Sequence, residues 1–142
     1  PRLDLAKAAG IATGTGISVN RQLETSAKNV FAIGDCAEVD GLVLPYVMPI
    51  MQAARALAPS LLGQAAALTY PAMPVMVKTP SLPTIVSPPA KGAVGDWKII
   101  PVEGGLEARF ESSDGKLLGF ALLGSATAQR GALTKELPPI LQ

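Results

Sequence analysis

The spacing of apolar positions changes along the chain, and each change predicts an element. Leu3 to Ala9 has apolar residues at helical spacing with Gly10 as a stop, which predicts a short helix. Ile17 to Asn20 reads as a strand, and a polar connection from Arg21 to Asn29 leads into the run Val30, Phe31, Ala32, Ile33. That run has β-branched and aromatic members and lies between polar Lys28-Asn29 and Gly34, so it predicts a central parallel strand buried on both faces. Val39 to Pro45 reads as a loop. From Pro49, a residue tolerated in a first helical turn, Ile50, Ala53, Ala54, Leu57, Leu61 and Leu62 keep a 3.6-residue period up to Gly63. Pro59 removes the hydrogen bond to the carbonyl of Arg55, which costs about 3 kcal/mol in a helix interior, so the helix bends there or ends and restarts.

The two prolines between Tyr70 and Pro74 mark a boundary, dividing the chain into 1–70 and 71–142, and the pattern beyond them is β-rich. Met76 to Lys78 and Thr84 to Val86 are short strands separated by prolines, and Ser87 to Gly92 is a proline-rich bend. Trp97 to Val102, Leu106 to Glu111 and Leu117 to Leu123 predict an antiparallel meander, turned at Glu103-Gly104-Gly105 and at Ser112-Ser113-Asp114-Gly115. In the middle strand Leu106, Ala108 and Phe110 alternate with Glu107, Arg109 and Glu111, so one face is buried and the other wet. The last strand is apolar on both faces and belongs at the centre. Ser125 is placed to cap a final helix reaching about Leu137, where Pro138 and Pro139 stop it. The fold class that follows is an α/β piece of a Rossmann-like domain and then a small α+β domain, an antiparallel sheet with a terminal helix.

In an open α/β sheet, ligands bind outside the carboxyl ends of the strands, which places Gly34 and Asp35 where a cofactor is held. Gly34 lets backbone approach a phosphate, and Asp35 accepts hydrogen bonds from sugar-type hydroxyls; the plainer reading of Asp35 is a turn or capping residue. No G-x-G-x-x-G turn opening a helix is present. The nearest candidate, Gly14 to Gly16, runs on into Ile17-Ser18-Val19 and reads as a turn into a strand. With Pro1 at the start, this reads as part of a larger protein.

Composition narrows the chemistry. A net charge of +1 over 142 residues leaves no electrostatic footprint for nucleic acid, and no apolar run approaches the roughly 20 residues that cross a bilayer. Nothing at the amino end resembles a signal peptide, so a soluble, cytoplasmic protein is expected. There is no histidine, which excludes Ser-His and Cys-His pairs and His-containing metal sites. One cysteine excludes an internal disulfide and a C-x-x-C pair; Cys36 is either a buried filler or a thiol lowered in pKa by its surroundings. No catalytic residue and no metal site is expected.

Thr25 to Glu38, TSAKNVFAIGDCAE, resembles the second FAD-binding motif of the flavoprotein reductases that carry two dinucleotide domains. The stretches LAKAAGIATGTGISVNRQLETS, LPYVMPIMQAARALA, KTPSLPTIVSPP and DGKLLGFALLGSATAQR extend the likeness. The whole chain is similar to the carboxyl-terminal part of the rubredoxin-NAD reductases, within the pyridine nucleotide-disulfide oxidoreductase-like flavoproteins. The resemblance implies FAD as cofactor in the intact protein, NADH as electron donor, and rubredoxin or a similar small electron carrier as partner.

It also implies that Asp35 holds FAD through its carboxylate and that backbone at Val47 contacts the flavin. Free N–H groups at that helix terminus can stabilise negative charge on the flavin's N1/O2 edge. Lys78 has two readings: the lysine that the family places near the isoalloxazine ring, or a solvated edge-strand lysine. Trp97 is expected as a core anchor. Lys91, Lys98, Lys116, Arg130 and Lys135 are candidates for a docking surface. Ser125 departs from the acid that relatives often carry before the last helix. The alternatives are a ferredoxin or nitrite reductase flavoprotein, which should diverge after Tyr70, and a non-catalytic binding or assembly module.

Overall fold

The computed structural model describes residues 1–142, which form two compact units, Pro1–Tyr70 and Pro71–Gln142. The first unit contains helix α1 (Asp4–Ala8), strand β1 (Ile17–Val19), a 3-10 turn (Gly34–Cys36), strand β2 (Ala37–Val39) and helix α2 (Val47–Leu61). β1 and β2 pair in parallel, with Ile17 opposite Ala37, Ser18 opposite Glu38 and Val19 opposite Val39. Leu23, Val39, Ala53 and Leu68 are buried at its centre. Arg21 ties this unit's loops together, with Nε 2.7 Å from Asp40 Oδ2 and Nη1 donating to the carbonyl of Leu68 at 3.0 Å.

Helix α2 passes through Pro59 and then stops. The lost bond to Arg55 falls in the last turn, where Leu62, Gly63 and Gln64 close the helix by donating to Pro59, Ser60 and Pro59 carbonyls at 3.0 to 3.1 Å. Gly63, at φ +79°, allows that closure. The helix therefore needs no restart.

The run Val30 to Ile33 departs from expectation. It forms no strand: Phe31 makes a single antiparallel bridge to Glu24, and the N–H of Ala32 donates to the carbonyl of Leu23 at 3.1 Å. Val30 and Ile33 are 42% and 36% exposed, and Ala32 alone in the run is buried. A strand buried on both faces needs a neighbour on each side, and the only ladder in this unit joins β1 to β2. Asn29 and Gly34, at φ +63° and +82°, also break extended geometry at both ends of the run.

The second unit is a five-stranded antiparallel sheet, in the order β3 (Val75–Val77), β4 (Thr84–Ser87), β7 (Leu117–Gly124), β6 (Gly105–Glu111), β5 (Asp96–Val102). A 3-10 turn (Ser125–Gln129) and helix α3 (Arg130–Glu136) follow β7. The strand that is apolar on both faces, β7, is the central one. Phe120 and Leu122 of β7 pack with Ile85, Leu117, Ala126 and Leu133, and Leu137 lies against this cluster.

Three details of this unit differ from the sequence reading. Glu107, expected on the wet face, is buried and paired with Nε of Arg109 at 2.5 Å, which is how a carboxylate tolerates burial. Trp97 is 46% exposed on edge strand β5 and meets Phe110 edge-on at 5.3 Å, so it is no core anchor. Ser125 caps no helix: its hydroxyl donates to the carbonyl of Glu103 at 2.6 Å, binding the β5–β6 turn to the end of β7.

Candidate functional site

The candidate site in the first unit is built where the 3-10 turn meets α2. Ile33 is extended, Gly34 turns the chain at φ +82°, and Ala37 is extended again at the start of β2. Asp35 thus stands just before β2, instead of just after a buried strand as the sequence suggested. A residue other than glycine at position 34 would be strained by its backbone, although the space is open: a Cβ there would meet only Ile50, at 3.7 and 3.8 Å. Asp35 is exposed and its carboxylate takes part in no side-chain hydrogen bond or ion pair. It caps nothing.

Across from this turn, Tyr46 enters α2 in extended geometry and no side chain caps the helix. Val47 is the first helical residue and is 70% exposed. Pro49, buried in the first turn, has no N–H to satisfy, and that turn holds no acid. The positive end of a 15-residue helix is therefore left to the N–H groups of Val47, Met48 and Ile50. The Gly34–Cys36 turn lies against α2, with Ile50 facing Gly34. Partial burial raises the pKa of the Tyr46 phenol; burial, and then Tyr46 itself, raises that of Tyr70, so both remain hydrogen-bond donors at neutral pH.

Lys78 belongs to the second unit. It is exposed, and the strand expected to enclose it ends one residue earlier, at Val77 on the sheet's edge. With Met76, Val77, Pro80, Pro83 and Ile85 it lines a cavity of about 300 Å³. The hydroxyls of Thr79, Thr84 and Thr127 at this cavity donate to backbone carbonyls at 2.6 to 3.1 Å, so the Lys78 ammonium is the side-chain donor left to a ligand there.

Among the candidate docking cations, Lys98 is paired with Glu111 at 2.5 Å and Lys116 with Asp114 at 2.8 Å. Cys36 is half-buried, with Sγ 3.6 Å from the carbonyl oxygen of Ile33. No group of three or more Cys, Asp or Glu side chains converges on a metal-sized site. No helix is long and apolar enough to cross a membrane. The sequence reading passed over Ile50, which faces Gly34, and Glu38, whose carboxylate lies against the Gly14–Gly16 turn. Gly14 and Gly16 stand more than twenty residues before Glu38, so nothing in its local sequence signalled the contact.

The family described as "Rubredoxin binding C-terminal domain" matches residues 67–137, half of the chain. The chain belongs to that family. Ahead of this domain, residues 1–59 match the pyridine nucleotide-disulphide oxidoreductase family. The chain is 48% identical over 141 residues to a rubredoxin-NAD(+) reductase of Alcanivorax borkumensis, and 49% identical over 142 residues to one of Acinetobacter baylyi. Each alignment covers 99% of this chain and 37% or 36% of the relative, so the chain spans little more than a third of the curated relatives it matches.

The structure of an NADH:rubredoxin oxidoreductase from Clostridium acetobutylicum superposes with a TM-score of 0.77 at 22% identity, over 96% of this chain and 36% of that one. That likeness concerns the fold. The fold class read from the sequence, a Rossmann-like α/β piece followed by an antiparallel sheet with a terminal helix, is the one this rubredoxin-binding-domain chain has.

Proposed function

We propose that this chain is part of an NADH-dependent flavoprotein reductase that passes electrons through FAD to rubredoxin in the cytoplasm. The observation that carries the proposal is the rubredoxin-binding domain match over residues 67–137, directly after a pyridine nucleotide oxidoreductase segment. The 48% identity to rubredoxin-NAD(+) reductases supports rubredoxin over the ferredoxin or nitrite reductase alternative and over a non-catalytic module.

The residues present fit FAD. Gly34 at positive φ leaves open space beside the turn, Asp35 offers a carboxylate with no competing protein partner, and the uncapped start of α2 offers N–H donors. When bound, FAD supplies the chemistry that accepts a hydride from NADH and releases single electrons to a carrier. In this reading Asp35 accepts hydrogen bonds from ribityl hydroxyls and Gly34 permits the close backbone approach. The first turn of α2 at Val47 disperses negative charge on the flavin. Lys78 is taken as the lysine that the family resemblance puts near the isoalloxazine ring.

The test joins this chain to the nucleotide-binding portion of the Alcanivorax relative and measures NADH-dependent reduction of a rubredoxin and of a plant-type ferredoxin. Rubredoxin should be preferred in kcat/KM by at least about tenfold, which corresponds to about 1.4 kcal/mol of discrimination. A flavin-loaded protein that prefers the ferredoxin, or reduces neither, refutes the proposal.

A further inference from the structure

Glu38 lies on β2, and its carboxylate reaches the turn that opens β1. The N–H of Gly16 donates to Glu38 Oε2 at 2.7 Å. A Cβ on Gly14 would stand 2.6 and 2.8 Å from the two carboxylate oxygens, and one on Gly16 would stand 2.8 Å from the carbonyl oxygen of Cys36. The turn closes on itself through Gly14 N–H donating to the Gly16 carbonyl at 2.9 Å. Two absent side chains thus let it settle onto the junction of the Gly34–Cys36 turn and β2, with the carboxylate against one glycine and the Cys36 carbonyl against the other. This is also why the glycine pair is no phosphate loop: the chain's own carboxylate takes the anion's place.

We infer that Glu38 is a positioning residue for the flavin site: seated against the Gly14–Gly16 turn, it fixes the Gly34–Cys36 turn and so the place from which Asp35 offers its carboxylate. The inference rests on the proposed role of Asp35. Asp35 makes no side-chain bond of its own, so its position is inherited from what holds its neighbours. On one side that is Ile50 of α2, against Gly34. On the other it is the clamp through Gly16, which touches Cys36 and Glu38 together. Without the carboxylate the Gly16 N–H loses its acceptor, the clamp is left with backbone contacts, and ordering of Asp35 is deferred to cofactor binding, where it lowers affinity.

The experiment uses the flavin-loaded chimera described above, stripped of FAD and titrated with it, with thermal unfolding measured alongside. Glu38→Ala should weaken FAD binding by about tenfold, the scale of one lost hydrogen bond to a charged group. Glu38→Gln, whose amide oxygen still accepts from Gly16, should stay within about threefold of wild type. Gly14→Ala pushes on the carboxylate without removing it and should weaken binding in the same direction as Glu38→Ala. It carries the comparison if Glu38→Ala does not fold.

The deciding measurement is a double-mutant cycle: in an Asp35→Ala background, Glu38→Ala or Gly14→Ala should change affinity by less than about twofold, because the group it positions is gone. Fully additive losses, or unchanged affinity in the single variants while Asp35→Ala weakens binding, overturn the positioning role alone. Wild-type affinity in Asp35→Ala itself overturns the reading of Asp35, and the inference falls with it.

Discussion

Phe120 and Ile99 lie in the same sheet and look alike as apolar strand positions, yet truncating them should have very different costs. Phe120 is 0% exposed on central strand β7, enclosed by Ile85, Leu117, Leu122, Ala126 and Leu133. Phe120→Ala removes a ring from a site packed on all sides and should cost about 3 to 5 kcal/mol. Ile99 is 57% exposed on β5, which pairs with β6 alone. Full burial of an isoleucine contributes about 1.5 to 3 kcal/mol, and less than half of that burial exists here, so Ile99→Ala should cost about 1 kcal/mol. Urea unfolding followed by tryptophan fluorescence reads both, because Trp97 is the chain's single tryptophan and packs against Phe110 in this unit. A Phe120→Ala cost below about 2 kcal/mol would mean that the core reading is wrong. Equal costs for the two variants would mean that the outer edge of β5 is covered in solution.

The 142-residue chain alone should purify without flavin colour and leave NADH unoxidised, since it holds no G-x-G-x-x-G turn to seat a pyrophosphate; a stoichiometric flavin spectrum would contradict this. Asp114 should titrate at about 2, held there by the hydrogen bond to Lys116 and then by Ser112. Because its folded pKa is depressed, its support for the fold is present above the unfolded value of about 4 and is lost as pH falls through about 2. NMR titration should show the midpoint rising in Lys116→Met, and an unmoved midpoint would break the assignment. In the flavin-loaded protein Lys78→Met should shift the flavin potential while most of the cofactor stays bound; an unchanged potential would favour the solvated edge-strand reading. Cys36→Ser should leave turnover within about threefold, given a thiol whose one polar contact is a 3.6 Å approach to a carbonyl; a loss above about a hundredfold with intact folding would reveal a redox thiol.

The antiparallel sheet was legible because its signals are local. Gly104-Gly105 and Asp114-Gly115 fix the two hairpin turns, and the two-sided apolar run of Leu117 to Leu123 can only lie between neighbours, as β7 does between β4 and β6. The details that failed depend on distant partners. The period of β6 marked Glu107 as wet, but Arg109, two residues on and on the same face, makes its burial affordable. A serine before a helix reads as a cap, yet the Ser125 hydroxyl found the Glu103 carbonyl, brought within reach by strand pairing and invisible to spacing. Tryptophan's size favoured the core for Trp97, whereas β5 is an edge strand exposed along its whole length.

The site was legible in part, and for a reason that applies to α2 as well. A periodic pattern reports which face of an element is apolar; it does not report whether anything covers that face. In α2 the pattern marked Ala53, Leu61 and Leu62 alike, and Ala53 is buried while Leu61 and Leu62 are 60% and 80% exposed. Val30 to Ile33 has the same mismatch, an apolar run with only Ala32 covered. The proposed contacts Gly34, Asp35 and Val47 rest instead on features that sequence does specify: a glycine that takes positive φ, a short acidic side chain beside it, and a proline inside a first helical turn. Glu38 was missed because its role is set by two glycines more than twenty residues earlier, and only the parallel pairing of β1 with β2 brings them together.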